Sequence, residues 1–194
     1  MPESARGGAG RGRPRSAETD RSIRDAALEL LRTQGPGAVN IDAVAARSRV
    51  ARTTIYRRYR SRDELMSAIL DQLVEVVVPG PTLPVPDKLR WVLDRVVEVL
   101  EHGIGRGGIA AVLTRSDPAF TDALRERLAA QLGALTRAVD ADVEAGELRP
   151  DVDPDTLVGL LFGACLSEML LHGALRSGWA DRTVDLLAPS IRAR

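Results

Sequence analysis

The sequence predicts an all-α fold on three observations. Apolar residues recur at the helical spacing i, i+3, i+4, i+7 through most of the chain. Proline, glycine and capping residues fall between those stretches, and no segment alternates with a period of two or carries a hairpin signal. A chain of 194 residues can build one core of ordinary size or two small ones.

Residues 1–16, mostly Gly, Arg, Pro and Ser, have almost nothing to bury and read as a disordered basic arm. The first helix is predicted over 17–33. Ile23, Ala26, Ala27, Leu30 and Leu31 form one stripe, Ser16 is placed to cap it and Gly35 to end it. A second helix is predicted over 41–47 with Asn40 as its cap, and a third over 52–59. Ile41, Val44, Ala45, Ile55 and Tyr59 turn toward a small shared core. Ser61-Arg62-Asp63-Glu64 has the form of a capping box and opens a fourth helix, through Leu65, Ile69 and Leu73 to about Val78.

Five prolines and glycines between Pro79 and Pro86 then break the chain. A fifth helix is predicted over 87–102. The glycines of HGIGRGGIA read as a flexible turn, because no strand precedes them and their spacing does not fit a phosphate loop. A short helix follows over 109–115. Asp117-Pro118 is a cap followed by proline at the first helical position, opening a long helix that stops near Gly146. Asp153-Pro154 opens another over 154–176, apolar on more than one side, and the last helix is predicted over 180–191. The domain division is an arm (1–16), an N-terminal unit with its connecting fourth helix (17–78) and a C-terminal body (79–194).

Composition excludes several classes. One cysteine, Cys165, leaves no internal disulfide framework, and it sits among apolar neighbours with no evident base. His102 and His172 have no metal-ligand partner at useful spacing, and no nucleophile–base or paired-carboxylate set stands out, so neither an enzyme nor a cofactor is expected. No apolar run approaches the ~20 residues that span a bilayer, and MPESARGGAGRGRPRS carries charge without an apolar core. A cytoplasmic protein with no membrane partner is the expectation.

Net charge is zero, but residues 1–62 carry 14 Arg against 6 acids, while 63–194 carry 13 Lys+Arg against 21 acids. One end is built for a polyanion. The densest part is Ile41–Leu65, IDAVAARSRVARTTIYRRYRSRDEL, with seven arginines, three acids and two tyrosines three positions apart. A small apolar helix, a tight turn and a basic second helix suit the DNA major groove, where N-terminal side chains reach base edges and cations neutralise phosphates.

This run resembles the DNA-binding domain of the TetR family of bacterial transcriptional regulators. RTTIYRRYRSRDEL looks like that family's recognition helix and the start of its fourth helix, and GELRPDVDPDTL looks like its linker between the seventh and eighth helices. Two positions depart from the family pattern. Arg49 stands where most members have Gly, and Ala51 where many have a capping Ser; each costs on the order of 1 kcal/mol without removing a DNA-facing group. The resemblance implies that Tyr56 and Arg62 contact phosphates, that Arg52, Thr53 and Arg57 face base edges, and that Thr54 and Arg58 touch the backbone. It also implies a homodimer on an approximately palindromic double-stranded operator, formed by the last two long helices. Leu160, Leu161, Ala164, Leu171, Val184 and Leu187 are the interface candidates.

A repressor released by a small apolar effector follows from the same resemblance, with a ligand-independent or architectural DNA binder of the same fold as the alternative. Trp91, Phe120 and Phe162 are the bulky cavity candidates, with Arg95 or Arg115 as anchor; all of them also suit a plain core. Glu168 and His172, i and i+4 on an apolar helix, suit the cavity, the interface or a locally satisfied pair. Arg11-Gly12-Arg13-Pro14-Arg15 resembles an AT-hook core, so Arg13 and Arg15 are candidates for the minor groove. A basic tail adding only non-specific attraction is the equal alternative.

Overall fold

A computed structural model of the chain describes the backbone of residues 13–193 and the side chains of 17–193. The N-terminal unit contains α1 (Arg13–Gln34), a 3-10 turn at Pro36–Ala38, α2 (Ile41–Ser48), α3 (Arg52–Tyr56) and α4 (Arg62–Leu73). The body contains α5 (Val85–Val97), a π-helical continuation at Glu98–Ile104, α6 (Gly105–Thr114), α7 (Pro118–Glu144), α8 (Pro154–His172) and α9 (Trp179–Ile191). Among the described residues the one strand-like pairing outside these helices is the bridge Leu148–Arg192. The fold is all-α.

Local caps set most of the boundaries. Asn40 accepts from the Ala43 N–H at 2.9 Å, Asp117 from Phe120 at 3.0 Å and Asp153 from Thr156 at 2.7 Å. Ser61 accepts from Glu64 at 3.1 Å, while the Glu64 carboxylate reaches back one residue further than a standard capping box, to the Arg60 N–H. Ile23, Leu31, Val39, Val44, Ile55 and Leu65, all fully buried, form the N-terminal core, and Tyr59 closes it.

Several boundaries differ from the sequence expectation. Helix α1 begins at Arg13, so Ser16 lies inside it rather than capping it at Ala17. Helix α3 ends at Tyr56, and the Arg58 and Tyr59 N–H groups fold back onto the Ile55 carbonyl. Helix α4 stops at Leu73 instead of reaching Val78. The segment Val74-Glu75-Val76-Val77-Val78 is rich in β-branched residues, which weakens helix formation. Its backbone finds a partner in the body instead: the Gln131 amide donates to the Val77 carbonyl at 2.5 Å and accepts from the Val77 N–H at 2.8 Å. Helix α8 ends at His172, four residues early, with Gly173 in the left-handed region.

The glycine cluster is not a flexible turn. It lies within the π-helical segment and α6, pressed against the end of α1. A Cβ on Gly107 would stand 2.4 Å from the Gly35 nitrogen and 2.5 Å from the Leu31 carbonyl oxygen. Gly105 combines φ +59 with backbone of Arg32 at 2.7 Å, so both its conformation and its space require glycine. These contacts seat the N-terminal unit on the body. Gly107→Ala is expected to destabilise the chain by roughly 1–3 kcal/mol, read as a lowered thermal midpoint, whereas Gly163→Ala, with open space around it, leaves the midpoint near wild type.

Helix α8 departs from the composition-based expectation. Its 19 residues are long and apolar enough to cross a membrane by length and composition, and 22% of that apolar stretch is buried within the protomer. Five of the ten exposed large apolar side chains among the described residues, Leu160, Phe162, Leu170, Leu171 and Leu186, lie on α8 and α9. Leu161 and Val184, two of the interface candidates, are instead core residues at 1% and 5% exposure. Ala164 and Leu187 are half-buried against that core.

Candidate DNA-reading surface and the cavity in the body

The turn between α2 and α3 is held without glycine. Arg49 takes the left-handed conformation at φ 58 and ψ 22. Ser48 supports the turn by accepting the Val50 N–H at its hydroxyl, and the Ser22 hydroxyl donates to the Ser48 carbonyl. Ala51 gives α3 no side-chain cap, as its sequence implies. The outer face of α3 presents Arg52, Thr53, Tyr56 and Arg57, all exposed, with Thr54 half-buried beside them. Arg52 pairs with Asp42 at 2.9 Å, both side chains about two-thirds exposed. A pair so exposed contributes ~0–1 kcal/mol, so a guanine edge or phosphate can displace it at little cost. Arg49 and Arg60 are exposed as well and add to the positive charge of this unit.

Two expected backbone contacts are used differently. Arg58 turns inward to an ion pair with Asp20 of α1, its side chain 18% exposed. Arg62 donates through Nε to the Val39 carbonyl at 3.0 Å, and through one terminal nitrogen to the Pro36 carbonyl at 2.8 Å and Asp117 at 2.5 Å. The sequence context could not reveal that destination, because Asp117 lies 55 residues away. Arg62 is a joint between the N-terminal unit and the cap of α7 rather than a free phosphate contact. The side chains of Arg13 and Arg15, and the arm before them, lie outside the described residues.

The body holds an open-mouthed cavity of about 450 Å³. Val74 and Glu75 line it from the segment after α4; Trp91, Val92, Arg95, Val96 and Val99 come from α5 and its continuation, Leu128, Gln131, Leu132 and Leu135 from α7, and Val158 and Phe162 from α8. Trp91, Arg95 and Phe162 thus line it, whereas four other candidates do not. Arg115 is the exposed left-handed cap of α6, and Phe120 is buried in the core at 1% exposure. Glu168 and His172 lie toward the far end of α8. Arg176 holds the Glu168 carboxylate through two nitrogens, at 2.5 and 3.0 Å, and keeps it below the usual carboxylate range; His172 stands 3.7 Å away. Burial, with Glu101 nearby, pushes the Cys165 thiol up to about 11, so it stays an unreactive core thiol at neutral pH.

Sequence reasoning missed the side chains that join cavity and reader. Gln131 lines the cavity while clamping Val77. Arg127, one turn earlier on α7, reaches Asp71 at 2.8 Å and the Ser67 hydroxyl at 2.6 Å on α4. The signal for Gln131 was present: a polar residue falls in register with the apolar stripe of Leu124, Leu128 and Leu135.

Comparison with known proteins identifies this architecture. Residues 23–69 match the family described as bacterial regulatory proteins, tetR family, and residues 80–187 match the tetracyclin repressor-like C-terminal domain. The chain belongs to the TetR family. It is 27% identical over 177 residues to the HTH-type transcriptional regulator YdeS of Bacillus subtilis, covering 84% of each chain. It is 32% identical over 150 residues to the HTH-type transcriptional regulator Rv1556 of Mycobacterium tuberculosis, covering 74% of this chain and 72% of that one. Among solved structures, reduced Escherichia coli NemR superposes with a TM-score of 0.67 at 14% identity, over 91% of this chain and 99% of the other. Bacillus subtilis FadR in complex with stearoyl-CoA gives 0.62 at 16% identity, over 89% and 99%. These likenesses show a shared fold, and this TetR-family chain is a helix-turn-helix transcriptional regulator.

Proposed function

We propose that this TetR-family chain is a homodimeric repressor that binds a palindromic operator and leaves it when a small apolar molecule fills the cavity. The observation that carries this reading is the double use of α7. Its 27 residues, about 40 Å of helix, form one wall of the cavity, bolt α4 through Asp117–Arg62 and Arg127–Ser67/Asp71, and hold the segment after α4 through Gln131–Val77. A molecule that moves α7 therefore moves α4, and with it the recognition helix. Release is limited to the difference in the ligand's affinity for the two arrangements.

The dimer reading rests on the exposed apolar face of α8 and α9. Two recognition helices in successive major grooves would lie about 34–36 Å apart. The mostly aliphatic cavity favours an effector-controlled regulator over a ligand-independent DNA binder. Such a protein works where its DNA is, in the bacterial cytoplasm.

The test begins by selecting bound genomic fragments with purified protein, then measures affinity for the selected operator and its single-base variants. Arg52→Ala is expected to cost ~1–3 kcal/mol at one base pair and to relax preference there. Tyr56→Phe is expected to weaken all sequences by similar factors, since its hydroxyl reaches phosphate. A uniform loss for Arg52→Ala would mean the helix docks in another orientation. Failure of any cavity-binding compound to alter operator affinity would remove the effector half of the proposal.

A further inference from the structure

The geometry points to an elongated amphipathic cation as the occupant of the cavity, an inference that rests on reading the cavity as a ligand site. The central space does not stand alone. An outer cavity of about 310 Å³ shares Glu75, Trp91 and Arg95 with it, and an inner space of about 100 Å³ shares Val99, Leu128 and Phe162. The central and inner spaces follow one another along one wall, from Trp91 on α5 to Ile104 at the end of the π-helical segment, and the outer cavity flanks the central one over the stretch from Trp91 to Glu98. That wall is on the order of 20 Å long. The inner end is lined by apolar residues alone, among them Leu113, Leu124 and Leu166. A long apolar chain fits this course better than a compact molecule.

The outer end supplies the charge. Its lining contains three carboxylates, Glu75, Asp94 and Glu98, against one cation, Arg95. Arg95 is already engaged, donating to Glu98 at 2.6 Å and to the Leu73 carbonyl at 3.0 Å. The Glu75 and Asp94 carboxylates have no hydrogen-bond or ion-pair partner among the described residues. In the central cavity Arg125 and Asp155 offset each other in sign. Two uncompensated carboxylates therefore flank the mouth, with the Trp91 indole between the outer and central spaces. A positive head meets two opposite charges and an aromatic ring there. An anionic head meets two like charges and a guanidinium whose charge is already paired with Glu98.

The test compares three ten-carbon probes of matched chain length below their micelle concentrations: decyltrimethylammonium, decanoate and 1-decanol. Each is titrated calorimetrically into the full-length protein. The ammonium probe is expected to bind about tenfold more tightly than either of the others, the sum of two partly exposed charge pairs and one cation–π contact. The pair of changes Glu75→Gln and Asp94→Asn lies on exposed side chains, so the fold is retained. It should remove that preference while leaving the affinity for 1-decanol unchanged. Decanoate binding as tightly as the ammonium probe, or none of the three binding, would overturn the inference. Operator binding measured in the same titrations separates this from the repressor reading. Tight ammonium binding without DNA release sinks effector control and leaves the ligand class standing, whereas release by decanoate alone does the reverse.

Discussion

Leu161→Glu is expected to unfold the body, while Leu160→Glu with Leu171→Glu is expected to leave a folded monomer. The three leucines lie on one helix and look alike in sequence, yet Leu161 is 1% exposed and Leu160 and Leu171 are 54% and 74% exposed. A carboxylate at position 161 would stand in the apolar α5–α8 core beside Leu157 and Cys165. Burying an unpaired charge costs more than ~4 kcal/mol, a large part of the ~5–15 kcal/mol that holds a domain together. The double surface change carries no such penalty, because both side chains already face solvent in the protomer. It does place charge on the apolar face proposed to pair with a second copy. Sedimentation and circular dichroism of the two variants distinguish the outcomes: loss of helix for the first, a helical monomer for the second. Operator affinity of that monomer should fall by about 100-fold or more, since one half-site no longer recruits the other. A double variant that still sediments as a dimer would place the interface elsewhere.

The contrast among those leucines marks what the sequence could specify. Caps at Asn40, Asp117 and Asp153 were legible, because each side chain meets an N–H three residues on. The apolar stripe of α1 and the inward Ile55 and Tyr59 were legible for the same reason: helical spacing alone decides which face is buried. The end of α4 was not, since Val77 is held by Gln131, 54 residues away. The glycines from Gly103 to Gly108 are ambiguous in sequence because glycine serves both turns and close approaches. Only the position of α1 shows that Gly107 faces the Leu31 carbonyl. In the body, the resemblance offered Trp91, Phe120 and Phe162 alike as cavity candidates that also suit a plain core; Trp91 and Phe162 line the cavity, with Arg95, whereas Phe120 lies in the core. Which side of an all-round apolar helix meets core, cavity or partner is a property of the assembled bundle.

Arg62→Ala is expected to loosen the joint between reader and body rather than to free a DNA phosphate. The change strands Asp117, which is 16% exposed, and takes a donor from the Pro36 and Val39 carbonyls. Losing one side of a largely buried charged pair with two further hydrogen bonds costs about 3 kcal/mol, a fall of roughly 6–12 °C in the thermal midpoint for a chain of this size. Asp117→Asn is the informative partner. It keeps an oxygen to accept the Phe120 N–H, so α7 stays capped, but it removes the charge that Arg62 meets. A double-mutant cycle between the two should give a coupling above about 1 kcal/mol, where separate sites would add. Salt dependence supplies the second axis. If Arg62 neutralised a phosphate, Arg62→Ala would flatten the log–log slope of operator affinity by about 0.9, whereas a broken joint lowers affinity and leaves the slope as in wild type. Asp117→Asn, whose charge has the wrong sign to hold a phosphate, should then reproduce the loss of affinity at unchanged slope. A flattened slope for Arg62→Ala with unaltered thermal stability and no coupling to Asp117 would return Arg62 to the DNA backbone.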